Sequence, residues 1–158
     1  MSKKTKTAVI ITIAVVLTAA IIFTLFIHSG RAGIAKMDLK DDFITKCDIS
    51  SDCNVKKSVG YETAGVLAFS EDTEKIFFGF YEENAIGRYS YFTGDNLSRD
   101  DNRILKYILP DCKSAVYVSA NNCRISEIRV YDDILEPEII KINPDRPFIL
   151  AEPRARRI

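Results

Sequence analysis

The sequence is poor in the side chains on which most hydrolytic and metal-dependent chemistry relies. It has one histidine in 158 residues, His28, directly after a long apolar run near the N-terminus. A Ser-His pair, a Cys-His pair and an HExxH metal helix all need a histidine inside the folded domain. The four cysteines match neither the Cys-x-x-Cys redox pattern nor the usual zinc spacings. We therefore expect no enzymatic activity, no metal and no cofactor.

The carboxylate pairs give little further support to catalysis or cation binding. Glu82 with Glu83, and Asp100 with Asp101, are neighbours of the kind that loops and helix starts leave solvated. The stretch 94–96 with Asp100 does not have the EF-hand spacing, so it is interpreted as a turn before a helix. The sequence also lacks internal repeats and low-complexity segments.

The first feature that is present is an N-terminal apolar run. Residues 7–27 contain no charge and are interrupted only by three threonines, whose hydroxyls can bond back to their own helix. As a helix the run spans roughly 31 Å, which matches a hydrocarbon core of about 30 Å. Lys3, Lys4 and Lys6 on one flank predict a cytoplasmic N-terminus and a translocated remainder.

The alternative is a cleaved signal peptide, with a candidate site at 30–32. Such peptides have an apolar region of about 7–15 residues, shorter than this run, and Arg31 suits the site poorly. We therefore expect a bacterial inner-membrane protein with a periplasmic domain. The predicted division is a cytoplasmic flank at 1–6, a transmembrane helix at 7–28, a linker at 29–35, an extracytoplasmic domain at 36–150 and a basic tail at 151–158.

The net charge of the predicted domain indicates the type of partner, and its cysteines indicate disulfides. The whole chain has no net charge, but residues 36–150 hold 15 Lys and Arg against 21 Asp and Glu, a net of −6. An acidic domain suits a basic partner and disfavours nucleic acid. In an oxidising periplasm the four cysteines predict two disulfides of open connectivity. The candidates are Cys47, Cys53, Cys112 and Cys123, of which the first two are suited to closing a short loop.

The pattern of apolar residues predicts an α+β domain, with a mostly antiparallel sheet and one or two helices packed on a face. Strands are expected at 59–69, with a bulge at Gly65, at 75–81 in the sheet centre and at 88–92, forming a meander. A helix is predicted over 98–110, capped by Ser98 and ended by Pro110, and a shorter one over 38–47. Further strands are expected at 115–118 and 124–131, as a hairpin turning at Asn121, and at two edges, 139–142 and 148–150.

Aromatic residues are densest between positions 77 and 92. Most of them are expected in the core, but alternation along the strands cannot place all of them on one face. Tyrosine is enriched in protein interfaces. The candidate partner-binding residues are therefore Tyr81, Glu82, Glu83, Tyr89 and Tyr91.

In layout the chain resembles the small periplasmic accessory proteins of membrane-bound transcription activators, of the ToxS and PsaF/MyfF kind. The resemblance is carried by the Lys3–Lys6 flank, the apolar run 8–27 and one cysteine-containing α+β domain. It implies a subunit that binds the periplasmic domain of another inner-membrane protein and modulates it.

An immunity or inhibitor protein is the alternative. The layout, and loosely the stretch 74–91, are similar to those of the colicin M immunity protein. That resemblance implies neutralisation of a toxin or hydrolase acting in the periplasm, and the acidic domain would suit a basic enzyme of this kind.

Overall fold

The structure is a computed structural model that describes residues 3–28, 32–50, 52–109, 114–131 and 136–152. It contains two units, Met1–Gly33 and Ile34–Ile158. The first holds helix α1 (Lys3–His28), whose stretch Val9–Ile27 is long and apolar enough to cross a membrane and has none of its length buried. The hydroxyls of Thr18 and Thr24 donate to the carbonyls of Ala14 and Ala20 at 2.9 and 2.8 Å. The predicted helix is confirmed, and its length and composition fit either a membrane span or a signal sequence.

The described residues of the second unit form one short α-helix and nine strands, and the strand pairings among them are all antiparallel. A 3-10 turn at Lys36–Asp38 leads into helix α2 (Leu39–Cys47). The strands are β1 (Asn54–Val59), β2 (Thr63–Phe69), β3 (Lys75–Glu83), β4 (Tyr89–Ser98), β5 (Leu105–Ile108), β6 (Ala115–Ser119), β7 (Glu127–Val130), β8 (Glu138–Lys141) and β9 (Phe148–Ala151). They form sheets of order β1-β2-β3-β4, β5-β6-β9 and β7-β8. The α+β class is confirmed.

The four-stranded sheet is covered on both faces, which places it at the centre of the domain. One face packs against the three-stranded sheet, with Phe78 and Phe80 of β3 meeting Val116 and Val118 of β6. The other face lies under α2, where Phe43 is fully buried. A strand with two covered faces must be apolar on both, and β3 with its sequence KIFFGFY has that pattern.

The meander is present, but its first part differs from the prediction. Positions 59–69 contain the end of β1, a turn and then β2, so the sheet has one strand more than expected. Gly65 stays in register, paired with Ser58 and Phe80, and is not a bulge. A Cβ at Gly65 would lie 2.6 Å from Cδ1 of Ile149, so glycine is needed there for the close approach of the three-stranded sheet.

The predicted helix over 98–110 is wrong, because β5 occupies its centre. Leu105 and Tyr107 pack against the core between the sheets, while Ile108 is exposed. Burial thus alternates along β5 with a period of two, as in a strand. The same apolar residues are also spaced as they would be on one face of a helix, which is why the sequence favoured a helix. Ser98 ends β4, and its carbonyl accepts a bond from the N–H of Asp101 in a turn. Pro110 lies outside the described residues.

The hairpin predicted around Asn121 is also wrong. β6 pairs with β5 and β9, whereas β7 pairs with β8. Asn121 does adopt a left-handed turn conformation, with φ of 65°. Its buried side-chain amide donates to the carbonyls of Ile125, Asn143 and Arg146 at 3.2, 3.0 and 3.3 Å, which directs the chain away from β6. The two C-terminal strands are confirmed as β8 and β9.

Candidate functional site

The five residues predicted to bind a partner lie on the two neighbouring strands β3 and β4. Tyr81 pairs with Tyr91, and Glu83 pairs with Tyr89, so these four alternate along one face of the sheet. That face is the one covered by α2. Glu82 lies between them in sequence and therefore belongs to the opposite face.

Tyr81 is fully buried and ties α2 to the sheet. Its hydroxyl donates a hydrogen bond of 2.9 Å to Oδ2 of Asp42, and Oδ1 of the same carboxylate lies 2.7 Å from Nζ of Lys46. Burial, followed by the hydrogen bond to Asp42, raises the pKa of Tyr81 far above its usual range. The phenol is therefore held neutral and acts as a donor to the helix.

Tyr89 makes the second bond of this kind. It is 3% exposed, and its hydroxyl donates to Oε2 of Glu83 at 3.1 Å. Burial and this hydrogen bond raise the pKa of Tyr89 to about 12. The backbone of Tyr89 is also bonded in both directions to that of Ile34, at 2.7 and 2.8 Å. The strand is thereby fixed to the first residue of the folded unit.

A role as partner-binding anchors requires these tyrosines to lie on an exposed face. That expectation is wrong for Tyr81 and Tyr89, because Leu39 and Phe43 of α2 pack over them. Tyr91 is half-buried, with its ring edge against Tyr81 at a centroid distance of 5.3 Å. We call this group of tyrosines and carboxylates the tyrosine cluster: Tyr81, Tyr89, Tyr91, Asp42 and Glu83. Its contacts are those of a structural unit that joins α2 to the sheet.

The two glutamates differ from each other. Glu83 is half-buried and belongs to the tyrosine cluster. Glu82 is half-buried on the other face, and its Oε1 atom is buried without a hydrogen-bond partner among the described residues. A buried carboxylate oxygen without a donor is costly. A partner-binding role for Glu82 and Glu83 stays a prediction.

The outer edge of β4 is a surface that the sequence did not predict. β4 ends the four-stranded sheet, and among the residues that the structure describes only its first residue, Tyr89, pairs further, with Ile34. The register shifts opposite Phe80 and Tyr81, so Phe92 is the extra residue of a bulge and is 47% exposed. One feature of the sequence could have indicated this bulge. The alternation of side chains along the strand breaks after Tyr91, where a second aromatic residue, Phe92, follows directly.

The cysteines do not form the predicted bridges in the structure. Cys47, Cys53 and Cys123 have free thiols, and Cys112 lies outside the described residues. Cys47 ends α2 and Cys53 precedes β1, and both pack against the apolar cluster under the helix. Burial and the nearby Asp42 carboxylate raise the pKa of the Cys47 thiol, so the thiol form is favoured.

The described part of the chain contains no group of three or more His, Cys, Asp or Glu side chains arranged to hold a metal ion. The structure thus defines a small α+β domain carried behind an apolar N-terminal helix. No protein-family model, no curated protein and no solved structure matches the chain. Its function must be argued from its own geometry.

Proposed function

We propose that this chain is a single-pass inner-membrane protein whose periplasmic domain binds and modulates the periplasmic domain of another inner-membrane protein, such as a sensor or transcription activator. α1 is the anchor, and Lys3, Lys4 and Lys6 keep its N-terminus in the cytoplasm. The domain has no catalytic role in this proposal. Its work is done by surfaces that contact the partner.

The observation that carries the anchor is the exposure of α1. None of its apolar stretch Val9–Ile27 is buried. Exposed apolar surface of this extent is unfavourable in water and favourable in lipid. The 19 residues span about 28 Å, close to the thickness of the hydrocarbon core.

The outer edge of β4 supports the protein-binding part of the proposal. An unpaired strand edge offers backbone N–H and C=O groups to a strand of another chain, and strand addition is a common mode of recognition. Beyond Tyr89 this edge is paired with no other described strand. The bulge at Phe92 limits indiscriminate pairing, and its exposed ring adds an apolar anchor.

Site-specific photocrosslinking tests the binding surface. We would place p-benzoylphenylalanine at Phe92 in the full chain, irradiate intact membranes and identify the products by mass spectrometry. The expected product is an adduct with an inner-membrane protein that has a periplasmic domain. The matched control position is Ile86, which is 52% exposed but lies outside the strands. Recovery of only the protein itself, or equal adducts from both positions, would contradict the proposal.

The anchor has a separate test. Alkaline phosphatase fused to the C-terminus is expected to be active, and the mass of the membrane-purified chain is expected to include α1. A chain that starts at Ala32 would identify α1 as a cleaved signal sequence. That result would free the domain from the membrane and leave the accessory-subunit proposal without its anchor.

A further inference from the structure

A cleft of about 410 Å³ lies where the N-terminal turn of α2, strand β1, the end of β8 and the start of β9 meet. Its lining includes four lysines and contains no aspartate or glutamate. We call it the lysine cleft, and the four lysines are Lys40, Lys56, Lys57 and Lys141. Residues 36–150 hold 15 basic side chains against 21 acidic ones. Four of the 15 therefore line one concavity of an acidic domain.

Two of these ammonium groups are held by neutral partners. Nζ of Lys56 donates to the carbonyl of Pro147 at 3.0 Å, and Nζ of Lys57 donates to the carbonyl of Lys36 at 2.9 Å. A carbonyl orients an ammonium group but leaves its charge in place. Arg146 adds positive potential, since its charge, after burial, lowers the pKa of Lys56. Within the described ranges, Lys141 is the one cleft lysine paired with a carboxylate, that of Glu127 at 2.9 Å, and its side chain is exposed.

The lining of the lysine cleft also contains apolar residues. They are Val55 and Ile142, which are half-buried, and Phe148 and Ile149, which are buried at the start of β9. A ligand that fits must therefore carry several negative charges and also some apolar surface. The proposed function supplies a source for such a ligand, because the domain is expected to bind a polypeptide.

We propose that the lysine cleft binds an acidic segment of the partner protein, with its carboxylates facing the lysines and one apolar side chain resting on Val55 and Ile142. This inference rests on the proposed function and names the chemistry of the partner. A segment fits better than one compact anion because three of the ammonium groups are held by different partners: Lys56 by the carbonyl of Pro147, Lys57 by that of Lys36 and Lys141 by the carboxylate of Glu127. Opposite charges on the two proteins would also speed their encounter.

The probe is a fluorescein-labelled peptide of glutamates around one central phenylalanine, compared with the same peptide carrying glutamine for glutamate. Binding to the full chain in neutral detergent is measured by fluorescence anisotropy at low and high salt. Only the glutamate peptide is expected to bind, and more weakly at high salt. The double variant Lys40→Gln/Lys57→Gln should bind about tenfold more weakly, since each lost pair is worth up to roughly fivefold.

The matched control is Lys75→Gln/Lys106→Gln, which removes the same charge from residues outside the cleft and should bind like the original chain. Circular dichroism checks that both variants are folded. Equal binding by the two variants would overturn the inference, as would failure of the glutamate peptide to bind the original chain. Cleft-dependent binding to vesicles containing phosphatidylglycerol, without peptide binding, would overturn it in favour of a lipid surface.

The two proposals fail in distinguishable ways. If crosslinking at Phe92 captures a partner and the peptide does not bind, only the lysine cleft inference is lost. If the peptide binds to the cleft but membranes yield no partner, the proposed function is lost, and the cleft is left as a site for acidic segments of unassigned origin. A partner that is captured equally by the cleft double variant and has no acidic segment would also overturn the inference.

Discussion

The tyrosine cluster and the lysine cleft belong to the same small domain. In each of them the residues lie in surroundings that are unusual for their type. Tyrosines are typical of interfaces, yet Tyr81 and Tyr89 are buried and bonded to Asp42 and Glu83. Lysines are typical of plain solvated surface, yet four of them line one cleft together with apolar residues. The first region fixes the fold, whereas in the second Lys56 and Lys57 are bonded to backbone carbonyls, which leave their charges in place.

The difference follows from the cost of burial. A tyrosine is mostly apolar ring, so it stabilises a core once its single hydroxyl has found an acceptor. Under α2 the acceptors are carboxylates that lie within 3.1 Å of the hydroxyls. A lysine ammonium is charged, so it stays near water while its stem covers apolar surface. Lys56 departs from this rule, because its ammonium lies over the ring of Phe69 at 5.5 Å from the ring centroid, as in a cation–π contact.

The largest effect expected from this comparison is on stability. Tyr81→Ala should lower the free energy of unfolding by about 3–5 kcal/mol, because it leaves a cavity under α2 and removes a donor from Asp42. Urea unfolding of the full chain in detergent, followed by circular dichroism, measures this loss. Tyr61→Ala, at a residue that is 47% exposed, is the control and should cost much less. Comparable losses in the two variants would show that the tyrosine cluster does not hold the fold.

A smaller loss is expected when only the hydroxyl is removed. Tyr81→Phe keeps the ring and should cost about 1.5 kcal/mol, the range for a hydrogen bond to a charged group. Asp42→Ala removes the acceptor of the same bond. The double variant should cost less than the sum of the two single variants, because both remove one interaction. Strict additivity in this cycle would contradict the hydrogen bond between Tyr81 and Asp42.

The phenols also give the tyrosine cluster a signature at alkaline pH. The folded pKa of Tyr89 is raised to about 12, and that of Tyr81 is raised as well. The stability they contribute is therefore complete below the ordinary tyrosine pKa of about 10 and is lost as pH rises above it. Tyrosinate absorbance should show both groups ionising only on unfolding, and Tyr89→Phe should flatten the alkaline loss of stability. Ionisation of all seven tyrosines near pH 10 in a folded chain would contradict this prediction.

The sequence predicts those parts of the fold in which only one periodicity fits. The apolar run of α1 indicates a helix and the two-sided apolar pattern of β3 indicates a central strand, and both of these secondary structures are confirmed. Residues 104–109 fit a helix and a strand alike, and the choice is made by Leu105 and Tyr107 packing against the core. No local pattern could have supplied that contact.

The candidate site is less predictable, because it depends on which faces of the sheet are covered. Whether Tyr81 is exposed depends on α2, which arrives from more than 30 positions earlier in the sequence. The lysine cleft joins Lys40, the adjacent pair Lys56 and Lys57, and Lys141. Only that adjacent pair is visible as a local feature of the sequence. The rest follows from tertiary packing.

The smallest effect expected is the stability change on removing charge from the lysine cleft. Lys40→Gln and Lys57→Gln should each change the free energy of unfolding by no more than about 0.5 kcal/mol, since the exposed ammonium of Lys57 is bonded only to a carbonyl at its surface. The same urea experiment used for Tyr81→Ala measures both variants. A loss as large as that of Tyr81→Phe would mean that the cleft lysines hold the fold as the tyrosines do. A near-neutral effect on stability, together with weaker binding of the acidic peptide, would distinguish the two regions. The tyrosine cluster would then stabilise the fold, and the lysine cleft would bind a partner through its charge.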